Sequence, residues 1–224
     1  MMGLALDGPL VTLFISAFVT LFVVIDPPGC VPIFSSLTAG TSARHRIDMA
    51  VKSSLIAGAV LIAFALGGEA FLSALGITLP AFKIAGGVMV FLIAIDMVFE
   101  KRTQRRESRA EEVKSAADAA GKPLEEEDIS VFPMAIPMLA GPGSIASVML
   151  LSARTGGDYT KEAVVLAALI AVLGLTFLSL LAAGPIMKLM GAKFEGALTR
   201  LLGVVLAALA AQFVVDGIRQ SFNL

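Results

Sequence analysis

The sequence predicts an all-α membrane protein with six transmembrane helices, arranged as a 3+3 inverted repeat in which helices 1 and 4 are broken. Of the 224 residues, 57% are hydrophobic and 16% are charged, whereas a soluble domain is about 45–50% apolar and about 25% charged. Six apolar runs reach the roughly 20 residues that a spanning helix needs. Prolines and glycines interrupt the first and the fourth of these runs.

Polar linkers separate the apolar runs. In chain order the runs cover residues 10–39, 49–75, 79–99, 129–153, 163–190 and 197–218. Only the linker 100–128 is long, and it mixes seven basic with nine acidic residues. A segment this polar is too costly to bury, so we expect a solvated cytoplasmic loop with a helical stretch around 106–120. The chain therefore divides into a first three-helix repeat (1–99), this loop (100–128) and a second, inverted repeat (129–224).

The first run contains an aspartate followed by two prolines. Proline lacks an N–H group and clashes with the preceding turn, so a regular helix cannot continue through Pro27 and Pro28. In hydrocarbon the freed backbone groups need protein or water as partners, which excludes a lipid-facing position. Asp26 before Pro27 is typical of an N-cap followed by the first helical residue, and Gly141 before Pro142 has the same form. Each interruption is therefore expected to start a new half-helix.

The two halves of the chain repeat each other. When the sequence is shifted by 114 positions, residues 28–61 contain ten identities, among them Pro28 with Pro142 and Gly29 with Gly143. Because each half has three spans, the second half must enter the membrane from the opposite side. Paired interrupted helices in an inverted repeat indicate the binding site of a secondary transporter.

The distribution of basic residues predicts the orientation. With the amino terminus outside, 13 lysines and arginines fall on the cytoplasmic side and 4 on the outer side. Cytoplasmic loops carry the excess of Lys and Arg in membrane proteins. We therefore expect a multi-pass protein of the inner membrane with both termini on the outer, periplasmic side.

Four stretches of the sequence carry a family resemblance. Residues 26–34 (DPPGCVPIF) and 133–143 (PMAIPMLAGPG) resemble the two signatures of the MarC family of membrane proteins. Residues 79–87 and 211–217 resemble the corresponding stretches of its third and sixth spans. One branch of that family is similar to this chain and transports small neutral amino acids with protons. The resemblance therefore implies glycine-like or alanine-like substrates and proton coupling, with sodium left open.

The second interruption predicts a binding site for an anionic group. The start of a half-helix presents unpaired N–H groups and a partial positive charge. We expect the carboxylate of an amino acid to dock there and its ammonium group to lie nearer Asp26. The predicted substrate-binding residues are Asp26, Pro27, Gly29, Gly141, Pro142, Gly143 and Ser144. The alternative is that both interruptions are packing kinks and that Asp26 is only a cap.

Five polar residues within the spans are candidates for ion coupling or gating, since an ionisable group there is costly and usually functional. They are Asp26, Glu69, Lys83, Asp96 and Gln212. Glu69 and Lys83 both fall on the predicted outer side, so we expect a salt bridge between them, with a snorkelling structural role as the alternative. Asp96 and Gln212 occupy matching places in the two repeats, where anchoring at the membrane interface is the alternative to a function.

The sequence thus predicts a secondary transporter of small neutral amino acids, working by alternating access around a mid-membrane site between helices 1 and 4. The alternatives are an exporter of small amphipathic compounds and a membrane scaffold or sensor that does not transport. A transporter needs a polar, solvated cavity at Asp26 and Ser144, whereas a scaffold would be dry and filled there. The sequence has no Walker loop, zinc-ligand cluster or nucleophile elbow, so we expect no enzyme activity, cofactor or metal. The expected partners are the solute, the proton and the lipid bilayer, not nucleic acid, and a homo-oligomer is left open.

Overall fold

All regular secondary structure in the described residues is helical. The computed structural model describes residues 8–119, 121, 123 and 127–222, without the side chains of residues 118 and 188–195. The helices are α1 (Pro9–Ile25), α2 (Pro27–Leu37), α3 (Ala43–Ala74), α4 (Leu79–Val98), α5 (Lys101–Ala119), α6 (Pro142–Ala153), α7 (Tyr159–Leu181) and α8 (Ala183–Phe222). A short π-helical stretch, here called the π segment, covers Ser130–Leu139 before α6.

Five helical stretches are long and apolar enough to cross a membrane, and the π segment with α6 makes a sixth if the two cross together. The five are Pro9–Leu37, Ala43–Ala74, Leu79–Val98, Tyr159–Leu181 and Gly196–Phe222. The prediction of an all-α membrane protein is confirmed. The predicted linker at 191–196 is wrong, because the backbone is helical throughout α8. The chain turns at Ala182 instead, just before Pro185, and proline is tolerated in the first turn of a helix.

The first span is interrupted at Asp26. α1 ends at Ile25, Asp26 adopts a left-handed backbone conformation (φ 59°, ψ 66°), and α2 begins at Pro27. Few residues other than glycine adopt this conformation, and aspartate is one of them. The Asp26 side chain accepts a hydrogen bond from the N–H of Gly29 at 3.2 Å. Asp26 is therefore the N-cap that the sequence predicts.

The chain bends sharply between the π segment and α6. The π segment and α6 meet at an angle of 53°. Within the π segment, Phe132 and Ile136 have extended backbones, as expected of residues that precede prolines. Gly141 is the N-cap of α6 and provides no side-chain hydrogen bond, so the first turn of this helix is uncapped.

The body of the protein is built from paired spans. α4 packs along α8, α1 packs against α7, and α3 packs against the π segment, α6 and α7. Glycines bring α4 and α8 close together. A Cβ on Gly87 would lie 3.0 Å from the Ala210 carbonyl, and one on Gly203 would lie 2.9 Å from Met97. Such close approach supplies the van der Waals packing that holds helices together in lipid.

The polar segment between the two halves forms a docked helix. α5 covers 19 residues, and Arg106, Ala110 and Ala117 on one of its faces are buried. This face packs mainly on α2 and α4, where Lys114 also donates a hydrogen bond to Ser36. The prediction of a solvated loop is wrong for this face, because its basic side chains find acceptors on the membrane helices.

Candidate functional site

An arginine of α5 satisfies a backbone group that the first interruption leaves open. In a continuous helix the N–H of residue 28 would bond to the carbonyl of Val24, but Pro28 has no N–H to donate. Arg102 Nη2 donates to the Val24 carbonyl instead, at 2.6 Å. Its positive charge also interacts favourably with the negative, carboxyl-terminal end of the α1 dipole. α5 thus completes the hydrogen bonding at the end of α1.

A second arginine of α5 forms a buried ion pair at the same place. Arg106 Nη1 lies 2.8 Å from Asp26 Oδ2, and the two side chains are only 6% and 1% exposed. Arg106 Nη2 also donates to the carbonyl of Ile25 at 3.4 Å. A Cβ on Gly29 would come within 2.8 Å of Arg106 Nη1 and closer still to the Asp26 carboxylate. Gly29 therefore leaves the space that this ion pair occupies.

The first turn of α6 presents backbone donors to the interior of the protein. The leading N–H groups of a helix have no acceptor within the helix, and Gly141 has no side chain to cap them. Gly143 and Ser144 in this turn are buried. A Cβ on Gly143 would collide with Ile93 of α4 and would lie 3.4 Å from Val24 of α1. A side chain at position 143 would therefore have to displace Ile93, and glycine lets α6 lie against α1 and α4 without that shift.

A cavity of about 390 Å³ joins the α5 arginines to the first turn of α6. Its polar and backbone lining consists of Asp96, Arg102, Arg105, Arg106, Arg109, Gly141, Pro142, Gly143 and Ser144. Met89, Leu92 and Ile93 of α4 give the cavity an apolar side. The volume falls in the range of roughly 300–1,000 Å³ that small-molecule sites occupy. The cavity therefore combines an apolar wall with a small number of convergent polar groups.

The cavity is electropositive. Four arginines line it, and Asp96 is the single carboxylate in the described part of its wall. Arg105 Nη1 pairs with Asp96 Oδ2 at 2.5 Å. Burial and the neighbouring guanidinium of Arg106 lower the pKa of Arg102 to about 10. An anionic group that entered the cavity would meet positive charge that the wall does not neutralise.

The cavity contains one part of the predicted site. Gly141, Pro142, Gly143 and Ser144 all line it, and so does the gating candidate Asp96. The other predicted binding residues, Asp26, Pro27 and Gly29, are not in its lining. Asp26 is connected to the cavity through Arg106, which holds the Asp26 carboxylate and also lines the wall. The docking of an ammonium group near Asp26 stays a prediction.

Glu69 and Lys83 lie away from the cavity and do not pair with each other. Lys83 is 4% exposed and donates to Gln220 Oε1 of α8 at 2.9 Å. Glu69 is exposed and lines a separate pocket with Thr78. The expected Glu69–Lys83 salt bridge is therefore wrong, because Lys83 faces α8 and Glu69 does not.

Gln212 belongs to a polar cluster at the other end of α6. Its side chain donates to Asp216 Oδ1 at 2.7 Å. Asp216 Oδ2 pairs with Arg154, the C-cap residue of α6, at 2.6 Å. The guanidinium of Arg154 also lies over the ring of Phe213, 4.4 Å from its centroid. Since α6 has 12 residues, this cluster lies about 18 Å along the helix from the cavity.

The arginines of α5 were not among the predicted site residues. Arg102, Arg105, Arg106 and Arg109 all line the cavity, and we call this set the arginine face. Their spacing of i, i+3, i+4 and i+7 is the pattern of one side of a helix. That spacing was available in the sequence, but the segment's high overall polarity concealed it.

Long apolar helices that pack in pairs, and a cavity lined by both apolar and charged residues, are the features of a multi-span integral membrane protein. The chain belongs to the MarC family of integral membrane proteins, whose family model matches residues 11–222. No solved structure matches the chain.

Curated relatives match along almost their whole length. The chain is 40% identical to the UPF0056 membrane protein MJ1677 of Methanocaldococcus jannaschii, over 92% of this chain and 96% of the relative. It is 36% identical to the UPF0056 inner membrane protein YhgN of Escherichia coli, over 92% and 95% of the two chains. The UPF0056 membrane protein YvbG of Bacillus subtilis is 34% identical over 93% and 95%.

Proposed function

We propose that this protein is a secondary transporter of small neutral amino acids, with its solute site in the cavity between the arginine face and the start of α6. The observation that carries the proposal is the cavity itself, which reaches the uncapped first turn of α6 within an apolar helical body. A scaffold that does not transport would be filled at this place. Membership of the MarC family agrees with a membrane protein of this kind and leaves the solute to be tested.

The packing of the spans supports an inverted repeat. In such a repeat, span 1 corresponds to span 4, span 2 to span 5 and span 3 to span 6. The contact of α1 with α7 then corresponds to the contact of the π segment and α6 with α3. Gly87 and Gly203 match when the shift is increased from 114 to 116 positions, and each lies against the opposite helix of the α4–α8 pair. In this proposal the spans interrupted at Asp26 and Gly141 are broken helices at which alternating access takes place.

The proposed pose places the solute between the first turn of α6 and Asp96. The solute carboxylate accepts hydrogen bonds from the N–H groups of Gly143 and Ser144, which have no acceptor within the helix. The ammonium group faces Asp96, the carboxylate in the cavity wall that also pairs with Arg105, instead of the predicted Asp26, which Arg106 holds outside the lining. The solute side chain lies against Met89, on the apolar wall.

Asp26 is the proposed site of proton coupling. Protonation would remove the charge that holds Arg106, and Arg106 lines the cavity. Loading a proton on Asp26 would therefore change the charge and the position of the cavity wall. An Asp26→Asn variant should transport without dependence on a proton gradient, whereas unchanged gradient dependence would remove Asp26 from the coupling.

Two polar contacts are the proposed gates. The arginine face closes the cavity on the side where α5 lies, which is the cytoplasmic side in the predicted orientation. The Arg154–Asp216 pair joins the other end of α6 to α8 and closes the outer side. Both termini then lie on the periplasmic side.

The direct test is uptake of radiolabelled glycine and alanine into proteoliposomes, with and without an imposed proton gradient. We expect gradient-dependent uptake that is lost in Gly143→Leu, because a side chain there collides with Ile93. Gly174→Leu is the matched control, since a Cβ on Gly174 meets nothing within 4 Å. Absence of uptake by the folded wild-type protein, or retention of uptake by Gly143→Leu, would overturn the proposal.

The apolar wall of α4 favours one second candidate, an exporter of small amphipathic compounds. Met89, Leu92 and Ile93 give the cavity more apolar surface than glycine requires. Competition separates the two functions. An excess of unlabelled alanine should abolish alanine uptake in the first case, and only larger amphipathic solutes should compete in the second.

A further inference from the structure

The arginine face separates the charges of α5 by side of the helix. Arg102, Arg105, Arg106 and Arg109 all line the cavity. The three glutamates of the same helix, Glu107, Glu111 and Glu112, line a different pocket that faces α2. The positive charge at the cavity is therefore not neutralised by the neighbouring acidic residues of α5.

Two of the four arginines have carboxylate partners. Arg105 pairs with Asp96, and Arg106 pairs with Asp26. Arg102 is held by neutral acceptors, namely the Val24 carbonyl at 2.6 Å and Met97 Sδ at 3.1 Å.

Arg109 has no ion pair with any carboxylate whose side chain the structure describes. Glu100, the remaining acidic residue near the start of α5, pairs with Arg200 of α8 instead. Within the described residues, the guanidinium groups at the cavity exceed the carboxylates by two.

Arg102 lies in surroundings that are unfavourable for its positive charge. Burial and the proximity of Arg106 lower the pKa of Arg102 to about 10, so the protein holds this guanidinium against unfavourable solvation and repulsion. A carboxylate in the cavity would offset the repulsion between Arg102 and Arg106. A guanidinium binds a carboxylate with two parallel, charge-assisted hydrogen bonds, and the contacts of Arg102 to α1 and α4 hold it in place beforehand.

We infer that the arginine face selects the solute by charge, so that the cavity accepts small solutes with a free carboxylate and binds a dicarboxylate more tightly than a zwitterion. The inference rests on the proposed function for the cavity as the solute site. It adds that α5 contributes specificity residues, Arg102 and Arg109, to that site. The cavity has two more guanidinium groups than carboxylates. A zwitterion adds no net charge to balance these two positive charges, whereas a dicarboxylate adds two negative charges.

The test is direct binding to the full chain in phosphatidylcholine nanodiscs, where no anionic lipid headgroup competes. Isothermal titration calorimetry with succinate, alanine and alaninamide compares two, one and no carboxylate groups. We expect succinate to bind more tightly than alanine, and alaninamide to show no saturable binding. Equal affinity for alanine and alaninamide would overturn the inference.

The variant Arg109→Gln tests the residue assignment. Arg109 is exposed at the edge of the cavity, so this change preserves the contacts that α5 makes with α1. We expect it to weaken succinate binding by roughly tenfold, as for the loss of one charge-assisted hydrogen bond. Arg44→Gln removes the same charge from an exposed position at the start of α3 and should change the affinity by less than about twofold. Equal effects of the two variants would contradict the assignment.

The uptake assay distinguishes failure of this inference from failure of the proposed function. If alanine is transported but alaninamide competes equally well, the transporter stands and charge selection by the arginine face is refuted. If succinate binds in an Arg109-dependent manner but no amino acid is transported, charge selection stands and the proposed function is refuted.

Discussion

Removal of either member of the ion pair between Asp26 and Arg106 should strongly destabilise this protein. The two side chains are 1% and 6% exposed, and removing one member of a buried pair typically costs about 3–5 kcal/mol, because the remaining charge has no partner. Asn is as good an N-cap as Asp, so Asp26→Asn keeps the hydrogen bond to Gly29 and removes only the charge. We expect this variant to lose about 3 kcal/mol of unfolding free energy.

A double-mutant cycle isolates the pair from other effects. Arg106→Gln alone should also lose about 3 kcal/mol, because it leaves a buried carboxylate. The double variant should lose less than the sum of the single variants by about 2 kcal/mol or more, since neither charge is then left alone. Unfolding by sodium dodecyl sulfate in mixed micelles, followed by far-ultraviolet circular dichroism, measures all three free energies.

The Arg154–Asp216 pair provides the matched control. It has the same chemistry, but its side chains are 29% and 27% exposed. Asp216→Asn should cost about 1 kcal/mol or less, as solvated ion pairs do. If Asp26→Asn proves no more costly than Asp216→Asn, the reasoning from burial is refuted.

Three further changes have defined outcomes. Gly29→Ala should push Asp26 and Arg106 apart and cost about 3 kcal/mol in the same unfolding assay. Gly67→Ala is the control, because a Cβ on Gly67 of α3 meets nothing within 4 Å. It should be neutral or stabilising by up to about 1 kcal/mol. Asp96→Asn should raise the apparent KM for alanine uptake by about tenfold through loss of one charged contact, with the protein still folded; an unchanged KM would remove Asp96 from the site. Hydrogen bonding from Ser130 lowers the pKa of Asp128 below 3.8. The ionised Asp128 carboxylate therefore stabilises the fold above that pH, and this stabilisation is lost as the pH falls through the folded-state pKa. Ser130→Ala should therefore be less stable than wild type at neutral pH and equally stable in strong acid, and a difference that persists in acid would exclude this linkage.

The long apolar helices and the end of α1 before Asp26 were predictable because both depend on local sequence. An apolar run of sufficient length predicts a span whatever it packs against. The absence of an N–H group in Pro27 and Pro28 disrupts a helix in any context. The order Asp26-Pro27 was enough to identify the N-cap, whose side chain accepts the hydrogen bond from the N–H of Gly29 at 3.2 Å.

The partner of Asp26 was not predictable in the same way. Arg106 lies 80 residues further along the chain, in a segment that composition alone assigns to solvent. The docking of α5 depends on the carbonyls that the prolines leave open at the end of α1. Unpaired backbone carbonyls in one segment and the arginines of another can be matched only when the fold brings the two segments together.

The boundary between α7 and α8 illustrates a different difficulty. Glycines at 191 and 196 resemble a linker, and the structure continues a helix through them. Glycine weakens a helix by only about 1 kcal/mol, and no proline occurs there to end it. The turn follows Leu181 instead, close to Pro185.

The central claim is that solute reaches the first turn of α6 through the electropositive cavity, and thiol accessibility tests it most directly. Cys30 is the only cysteine and is buried, so a Cys30→Ala background allows a single thiol to be introduced by Ser144→Cys. Ser53→Cys is the control, since Ser53 is fully buried in α3 and outside the cavity lining. We expect a negatively charged methanethiosulfonate reagent to modify the Ser144→Cys variant faster than a positively charged one, and solute to slow the reaction. A Ser144→Cys variant as unreactive as Ser53→Cys would contradict the account.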